Sequence, residues 1–432
     1  MSLLSLALLT AFAASCALLI STAFRTRAGV LHFPFLAGAG LLGFLVPQAV
    51  GLVRSPEMAP AAGVDKALLM CTLCALAIHL GWRGPVPHRW SLAARNDSPR
   101  GAYAVGLLLL AVGLTGFYKL TSLSGGIAAH YSTQGSYSLR WSGLPVVYSF
   151  LADYMVAGLA LCSLAAFELK SYPRLVPPAV AVAIQLATIV FLGRRSVAVN
   201  LLVCFECTAW FAKRWLPPRW LWIAATPLAA IAMFLAPEYR VHSEIGADNE
   251  RIKDIDVRQT MTNVFDGARA EFWSLCHLVQ ITDDTALYQY GAGLYNTFIA
   301  YFVPKLLVGK DGKHALFIPV ANAEHVPNDY GWDMPYGMVS TGPGTAYREF
   351  WFFGCLYFYF LARFMRYLWT RAETAGDLLA KAAYMLSATP AIASVTNDMC
   401  AIYGPVFTFW LPLVVLAKIA GPGAPARGGS SA

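Results

Sequence analysis

Apolar runs long enough to cross a lipid bilayer recur along most of this chain, separated by short polar loops. They fall at 3–24, 30–53, 64–82, 101–120, 144–167, 178–193, 196–212, 219–236, 345–369, 376–397 and 399–418. A helix needs roughly 20 such residues to span the hydrocarbon core, and helices satisfy their own backbone hydrogen bonds in lipid. The expectation is an all-α polytopic membrane protein of about eleven transmembrane helices. Composition agrees, since 57% of the 432 residues are hydrophobic and 13% charged, too apolar for a soluble globular protein. The runs ending at 193 and starting at 196 are short and nearly continuous, and are the least sharply marked pair.

One polar stretch interrupts this pattern. Residues 237–344 form a charged, aromatic-rich insert between the eighth and ninth runs. The chain thus divides into spans one to eight (1–236), a large loop (237–344), spans nine to eleven (345–420) and a disordered tail (421–432).

Lys and Arg in the short loops set the orientation. Five loops carry clusters: Arg25/Arg27; Arg83/Arg89/Arg95/Arg100; Lys170/Arg174; Lys213/Arg214/Arg219; and Arg363/Arg366/Arg371. With eleven spans all five fall on one side, assigned to the cytoplasm together with the tail. The N-terminus and the large loop then lie on the outer side of the membrane. The net charge of +8 is mostly this orientation signal, so no nucleic-acid partner is expected. The first span has no basic segment before it, which argues against a cleaved signal peptide.

Eight of the nine cysteines lie in expected spans. Cys71/Cys74 and Cys204/Cys207 have CxxC spacing, but within apolar helices they read as small packing residues. Cys276 alone sits in the large loop, so no disulfide staples that loop. His32 and His79, inside or beside spans, read as structural, and His277 as packed against the bundle.

Three outer segments hold the polar chemistry. Thr121–Gly143 contains Gly125-Gly126, which breaks the helix, and Tyr, Ser, Gln and Arg side chains suited to sugar hydroxyls. A flexible solvated connection explains it equally well. Gly193-Arg194-Arg195-Ser196 puts two arginines on the outer side, against the positive-inside bias. Guanidinium groups grip phosphate bidentately, so a lipid-pyrophosphate headgroup suits this turn; headgroup snorkelling is the alternative.

The third segment is the large loop. Val257, Met261, Val264, Phe265, Ala268, Phe272, Leu275 and Val279 recur at helical spacing. They predict an amphipathic helix from Asp256 to about Thr282, lying on the bundle or at the interface. Residues 294–308 are apolar enough for a span, but a crossing there would carry Arg363, Arg366 and Arg371 outside. An interfacial or re-entrant helix fits better. Tyr330–Phe350, rich in Gly, Pro and aromatic residues, reads as an ordered irregular loop, with rings that suit either a sugar platform or the interface belt.

At these residues the chain resembles the Wzy-type oligosaccharide repeat-unit polymerases, which build O-antigen, capsule or exopolysaccharide. The Gly-Gly outer loop, the long late outer loop and FVPKLLVGKDGKH within it carry the resemblance. GPGTAYREFWFFG is similar to that family's Glu-aromatic-Phe-Gly stretch, except that Arg348-Glu349 stand where Glu-aromatic is usual, so the role of Glu349 is shifted by one position. The resemblance implies a GT-C-like bundle and glycosyl transfer between two polyprenyl-pyrophosphate-linked oligosaccharides. It implies neither nucleotide sugar, cofactor nor metal, and membrane lipid, a chain-length regulator and a flippase as partners.

Residue chemistry is compatible with that reaction. A departing pyrophosphate develops negative charge that a metal or fixed cations must stabilise. The outer loops hold no Asp-x-Asp and no tight His/Asp/Glu constellation. The expected cations are therefore Arg194, Arg195, Arg240, Arg269, Lys305, Lys310 and Arg348. An acceptor hydroxyl benefits from a general base, for which the candidates are Glu271, Glu349, His325 and Asp333. For each of these four a solvated surface position is an equal alternative.

Two rival functions fit parts of the pattern. An O-antigen ligase has similar layout and chemistry, and His242 near Arg240 resembles the His such a loop would carry. A lipid-linked oligosaccharide transporter would need no chemistry, but such folds usually show internal repeats and matched broken helices, which the sequence lacks.

Overall fold

The computed structural model describes residues 2–84, 98–132, 144–242, 256–265, 271–303, 305–320, 340–374, 377–405 and 409–410. All regular structure among them is helical, with no strand. Eight of the described helices are long and apolar enough to cross a membrane: Leu3–Phe24, Phe33–Arg54, Ala61–Arg83, Pro99–Leu123, Leu144–Glu168, Tyr172–Leu192, Arg195–Lys213 and Leu378–Thr396. Each coincides with an expected run. Helices also form at Arg219–His242 and Cys355–Thr374. Of the run expected at 399–418, the described part is a 3₁₀ turn at Met399–Ile402 with a short turn after it.

Phe12 and Cys16, Phe33 and Leu45, Leu68 and Cys71, Phe358 and Met365, and Tyr384 and Met385 belong to one continuous buried core. With lipid on the outside, helices associate through close packing rather than water exclusion, so small residues line their contacts. Pro99–Leu123 and Leu144–Glu168 show this: a Cβ added at Gly113 would lie 2.4 Å from the Met155 nitrogen, and one at Gly158 2.6 Å from the Leu110 nitrogen. The nine cysteines are all free thiols and all but Cys355 are buried, CxxC pairs included, which is a packing role.

Described residues of the basic loops meet at one end of the bundle. Lys381 pairs with Glu168 at 2.7 Å, and Arg214 with Glu373 at 2.6 Å. Arg366 donates to the Trp82 carbonyl oxygen, while His32 packs against Trp82 and Trp369 with ring centroids 5.1 and 4.9 Å away. Lys213 lies over the Phe167 ring at 5.2 Å. This end is called the basic end below.

At the opposite end the structure departs from simple runs. The stretch expected as one span at 345–369 is divided. Gly342–Phe350 is a separate, largely buried helix, and Trp351, with φ 53° and ψ −145°, breaks the chain before a 3₁₀ turn and Cys355–Thr374. The expected amphipathic helix at 256–282 is described as Val257–Phe265 and Glu271–Thr285. The second of these, the loop helix, buries Phe272, Leu275, Leu278 and Val279, and so lies on the bundle.

Residues 294–308 do not form one long helix. They contribute to Ala292–Phe302, about 16 Å of helix, and to Lys305–Ala315, which is itself broken at Gly309 (φ 75°, ψ 171°); both are too short for a core of about 30 Å. Lys313 Nζ donates to the Ala300 carbonyl oxygen at 2.7 Å, tying the two helices together. Tyr295, Tyr301 and Leu307 on the pair are 40, 49 and 78% exposed. In the Gly125-Gly126 segment the helix stops at Leu123 and a short one resumes at Ile127–Ser132. His130 and Tyr131 are buried there, with His130 edge-on to Phe117; residues 133–143 lie outside the described part.

Candidate functional site

The site is built where the Gly193 turn meets the loop helix. Gly193 ends Tyr172–Leu192 in the left-handed region, φ 55°, so Arg194 extends and Arg195 begins the next helix without a connecting loop. That is the usual device for a helix end that must reverse at once. Both arginines are thereby held at the mouth of the bundle, half-buried.

Phe33–Arg54 supplies the partner surface. Pro47 has no N–H to donate, and its ring crowds the preceding turn. The helix widens into a π turn at Leu41–Leu45, an irregularity often found at functional sites. It presents Phe44 and Gln48. The Arg195 guanidinium carbon lies 5.6 Å from the Phe44 ring centroid. Gln48 uses both ends of its amide: Nε2 donates to Glu271 Oε2 at 3.1 Å, and Oε1 accepts from the Phe272 N–H at 2.8 Å. That double contact caps the loop helix and holds Glu271 in its first turn. Arg195 Nη2 stands 3.8 Å from Glu271 Oε1.

A second polar station occupies the far end of the loop helix. Asp283 accepts hydrogen bonds from Tyr347 at 2.7 Å, from Tyr288 at 2.5 Å and from Lys66. Burial tends to raise the Asp283 carboxyl, but donation from Lys66, Tyr288 and Tyr347 outweighs it and holds the group below its ordinary value. The adjacent Asp284 turns the other way, towards Gln280 at 2.7 Å. Twelve residues separate Glu271 from Asp283, about 18 Å along a helix.

The Asp283 station acts as a latch, and its pH dependence has a definite sign. A carboxylate held low contributes its full stability above its ordinary value of 3.8 and loses it as pH falls through the lower folded value. Asp283→Asn is expected to loosen this end by about 1.5–3 kcal/mol, typical of hydrogen bonds to a charged group. Amide exchange at Ile281–Thr285 should quicken at neutral pH in the variant, and in the wild type only below about pH 4; equal exchange in both proteins at pH 7 would remove the latch.

Glu349 belongs to this second station. It is buried, and its Oε2 accepts the Gly291 N–H at 2.9 Å. Burial pushes its carboxyl up, while Arg348 and the N–H groups of Gly291, Gly293 and Leu294 pull it back. Its oxygens cap the helix Ala292–Phe302, and Arg348 sits beside it with its carbonyl accepting from Gln289 N–H at 3.0 Å. Lys305 and Lys310 are exposed on Lys305–Ala315, beyond that helix.

The candidate residues thus separate. Arg195 and Glu271 come together, with Arg194 next to Arg195 in the chain as the helix N-cap, and Arg348 and Glu349 form a different group. Arg240 lies on Arg219–His242, whose Tyr239 hydroxyl donates to Val190 O at 2.7 Å, while the Arg240 side chain, with Arg269, His325 and Asp333, lies outside the described residues. Gln48, Lys66 and Tyr347 were not singled out by sequence, and Asp283 only as a residue adjacent to Asp284, the two expected to point apart on a helix. The only signal for Gln48 was a polar residue in an apolar run, next to a proline. No protein-family model, no curated protein and no solved structure matches this chain.

Proposed function

We propose that the protein is a membrane glycosyltransferase of the GT-C kind. It polymerises polyprenyl-pyrophosphate-linked oligosaccharide repeat units into a surface polysaccharide at the periplasmic face of the bacterial inner membrane. The observation that carries the reading is the meeting of Arg195 with Glu271, at the end of the helix Arg195–Lys213 opposite its basic end. Cations and a carboxylate at one point are what this transfer requires. The arginines hold the pyrophosphate of the donor.

In the reaction the acceptor hydroxyl oxygen attacks the anomeric carbon of the donor. The bond from that carbon to the pyrophosphate oxygen breaks, and the bonding pair leaves with the pyrophosphate towards Arg194 and Arg195. The hydroxyl proton passes to Glu271. Among the described candidates Glu271 suits this role better than Glu349, whose oxygens are engaged by backbone N–H groups. Gln48 keeps Glu271 in place without neutralising it.

Glu271→Gln keeps the size and the Gln48 contact but removes the base, and is expected to slow polymerisation about 10²- to 10⁴-fold at unchanged membrane levels. Wild-type rates in that variant would exclude Glu271 as base. The reading as a whole is tested on a clean deletion strain, by gel of the surface polysaccharide with its lipid-linked intermediates. A ladder collapsing to one repeat unit is the expected result. Long chains stranded on polyprenyl pyrophosphate would make the protein a ligase, and an unchanged ladder would exclude glycan transfer.

A further inference from the structure

Beyond the Glu349 cap, Ala292–Phe302 and Lys305–Ala315 form a helical hairpin that the proposed transfer does not use. With the turn that follows it, the hairpin has a largely apolar surface: Tyr295, Phe298, Leu307, Val308, Leu316 and Ile318 are all exposed. So many large apolar side chains on one small element mark a surface that something covers. Lys305 and Lys310 are exposed on the same element, against a single acid, Asp311.

Two independent observations say what the cover is. The first is depth. Tyr301, at the far end of the first helix, lines one cleft with Phe150 and Asp153 of the span Leu144–Glu168 and with Cys400 and Gly404. Asp153 precedes Glu168 by 15 residues, and Glu168 pairs with Lys381 at the basic end. About 22 Å of helix therefore separates Asp153 from that end, less than the roughly 30 Å of the hydrocarbon core. Tyr301 thus lies at membrane level rather than above it. The second observation is how the helix ends are satisfied. Lys313, itself buried, donates Nζ to the Ala300 carbonyl oxygen at 2.7 Å. Asn296 holds Ile318 twice, accepting its N–H at 2.9 Å and donating to its carbonyl oxygen at 2.8 Å. At an aqueous surface water can serve such groups, whereas in lipid the protein must serve them itself.

We infer that the two helices are a re-entrant hairpin embedded in the leaflet opposite the basic end, with the apolar side chains against acyl chains and Lys305 and Lys310 at anionic phospholipid headgroups. Lipid is the occupant because the level of Tyr301 is that of the spans, and the two lysines supply the complementary charge at the rim. The inference stands apart from the transferase reading and survives if that reading fails.

The test uses the full-length protein in phosphatidylcholine vesicles, with and without phosphatidylglycerol. A nitroxide is attached at Leu307→Cys on a Cys355→Ser background, the other native thiols being buried. Leu307 is exposed, so its replacement leaves the core untouched. Relaxation of the label by oxygen, which concentrates in lipid, is compared with relaxation by a water-soluble nickel chelate. Oxygen is expected to dominate at Leu307→Cys, and nickel at Glu57→Cys, an exposed position between the second and third spans. Phosphatidylglycerol should shift the Leu307→Cys label further towards oxygen. Lys305→Ala with Lys310→Ala should abolish that shift, each lysine contributing about fivefold to the balance between embedded and solvated label. Nickel dominance at Leu307→Cys would mean a solvated hairpin, and access by neither reagent would mean a protein cover; either result overturns the embedding. A phosphatidylglycerol shift that persists in the double alanine variant would overturn the headgroup contact.

Discussion

Arg195→Ala is expected to cut polymer formation by about 10²-fold or more while the protein remains in the membrane at wild-type levels. The two halves of that expectation come from different magnitudes. The Arg195–Glu271 pair is loose at 3.8 Å, and its side chains are 26 and 16% exposed. Such a pair contributes about 0–1 kcal/mol to stability, too little for its loss to unfold a bundle of this size. A guanidinium aimed at a leaving pyrophosphate acts on charge that develops only in the transition state, where one lost donor costs about 3–4 kcal/mol. Arg194→Ala should behave similarly. Arg195→Lys keeps the charge but not the planar fork, and should fall between wild type and alanine. The measurement is polymer length and yield on gels beside an immunoblot of membranes. Normal chain length in both alanine variants would remove the pyrophosphate role.

Gly63→Val should disable the same site without touching it. A Cβ at position 63 would lie 2.5 Å from the carbonyl oxygen of Cys276 and 3.3 Å from Gln280 Cβ. The first of these is backbone in the middle of the loop helix, so no rotamer change relieves the contact. The loop helix must move away from Ala61–Arg83, and Glu271 moves with it. Overpacking of this kind costs about 1–3 kcal/mol, enough to undock one surface helix but not to dissolve the bundle. Cys276 reports the movement, being a buried free thiol in the wild type. A membrane-impermeant maleimide, followed by peptide mapping, should modify Cys276 readily in Gly63→Val and barely in wild type, and polymer should fall with it. Wild-type labelling with lost polymer would mean that Gly63 acts by some other route.

The alternation of apolar runs and basic loops is enough to read the bundle from sequence, because in lipid each span must satisfy its own backbone and each basic loop resists crossing. Eight runs reappear as helices within a few residues of their expected bounds. The Gly193-Arg194-Arg195 turn was legible for the same reason, as cations against the expected orientation bias. Glu349 was legible as a candidate base, but its surroundings could not be read: whether a carboxylate is a base or a helix cap depends on which N–H groups reach it. Here Gly291 reaches it, from 58 residues away.

Sequence by itself determined that this chain is helical, membrane-embedded and polar at one late insert, since those properties follow from local hydropathy and backbone satisfaction. Tertiary structure decided that the insert folds back onto the bundle. It also decided that Gln48 and Arg195 meet Glu271 rather than any other carboxylate, and that Asp283 draws in Lys66, Tyr288 and Tyr347. Those choices rest on contacts between distant segments, set by a π turn ahead of Pro47 and by the missing side chain of Gly63. Neither leaves a periodic trace, because close approach is a property of two surfaces and a sequence writes them one at a time.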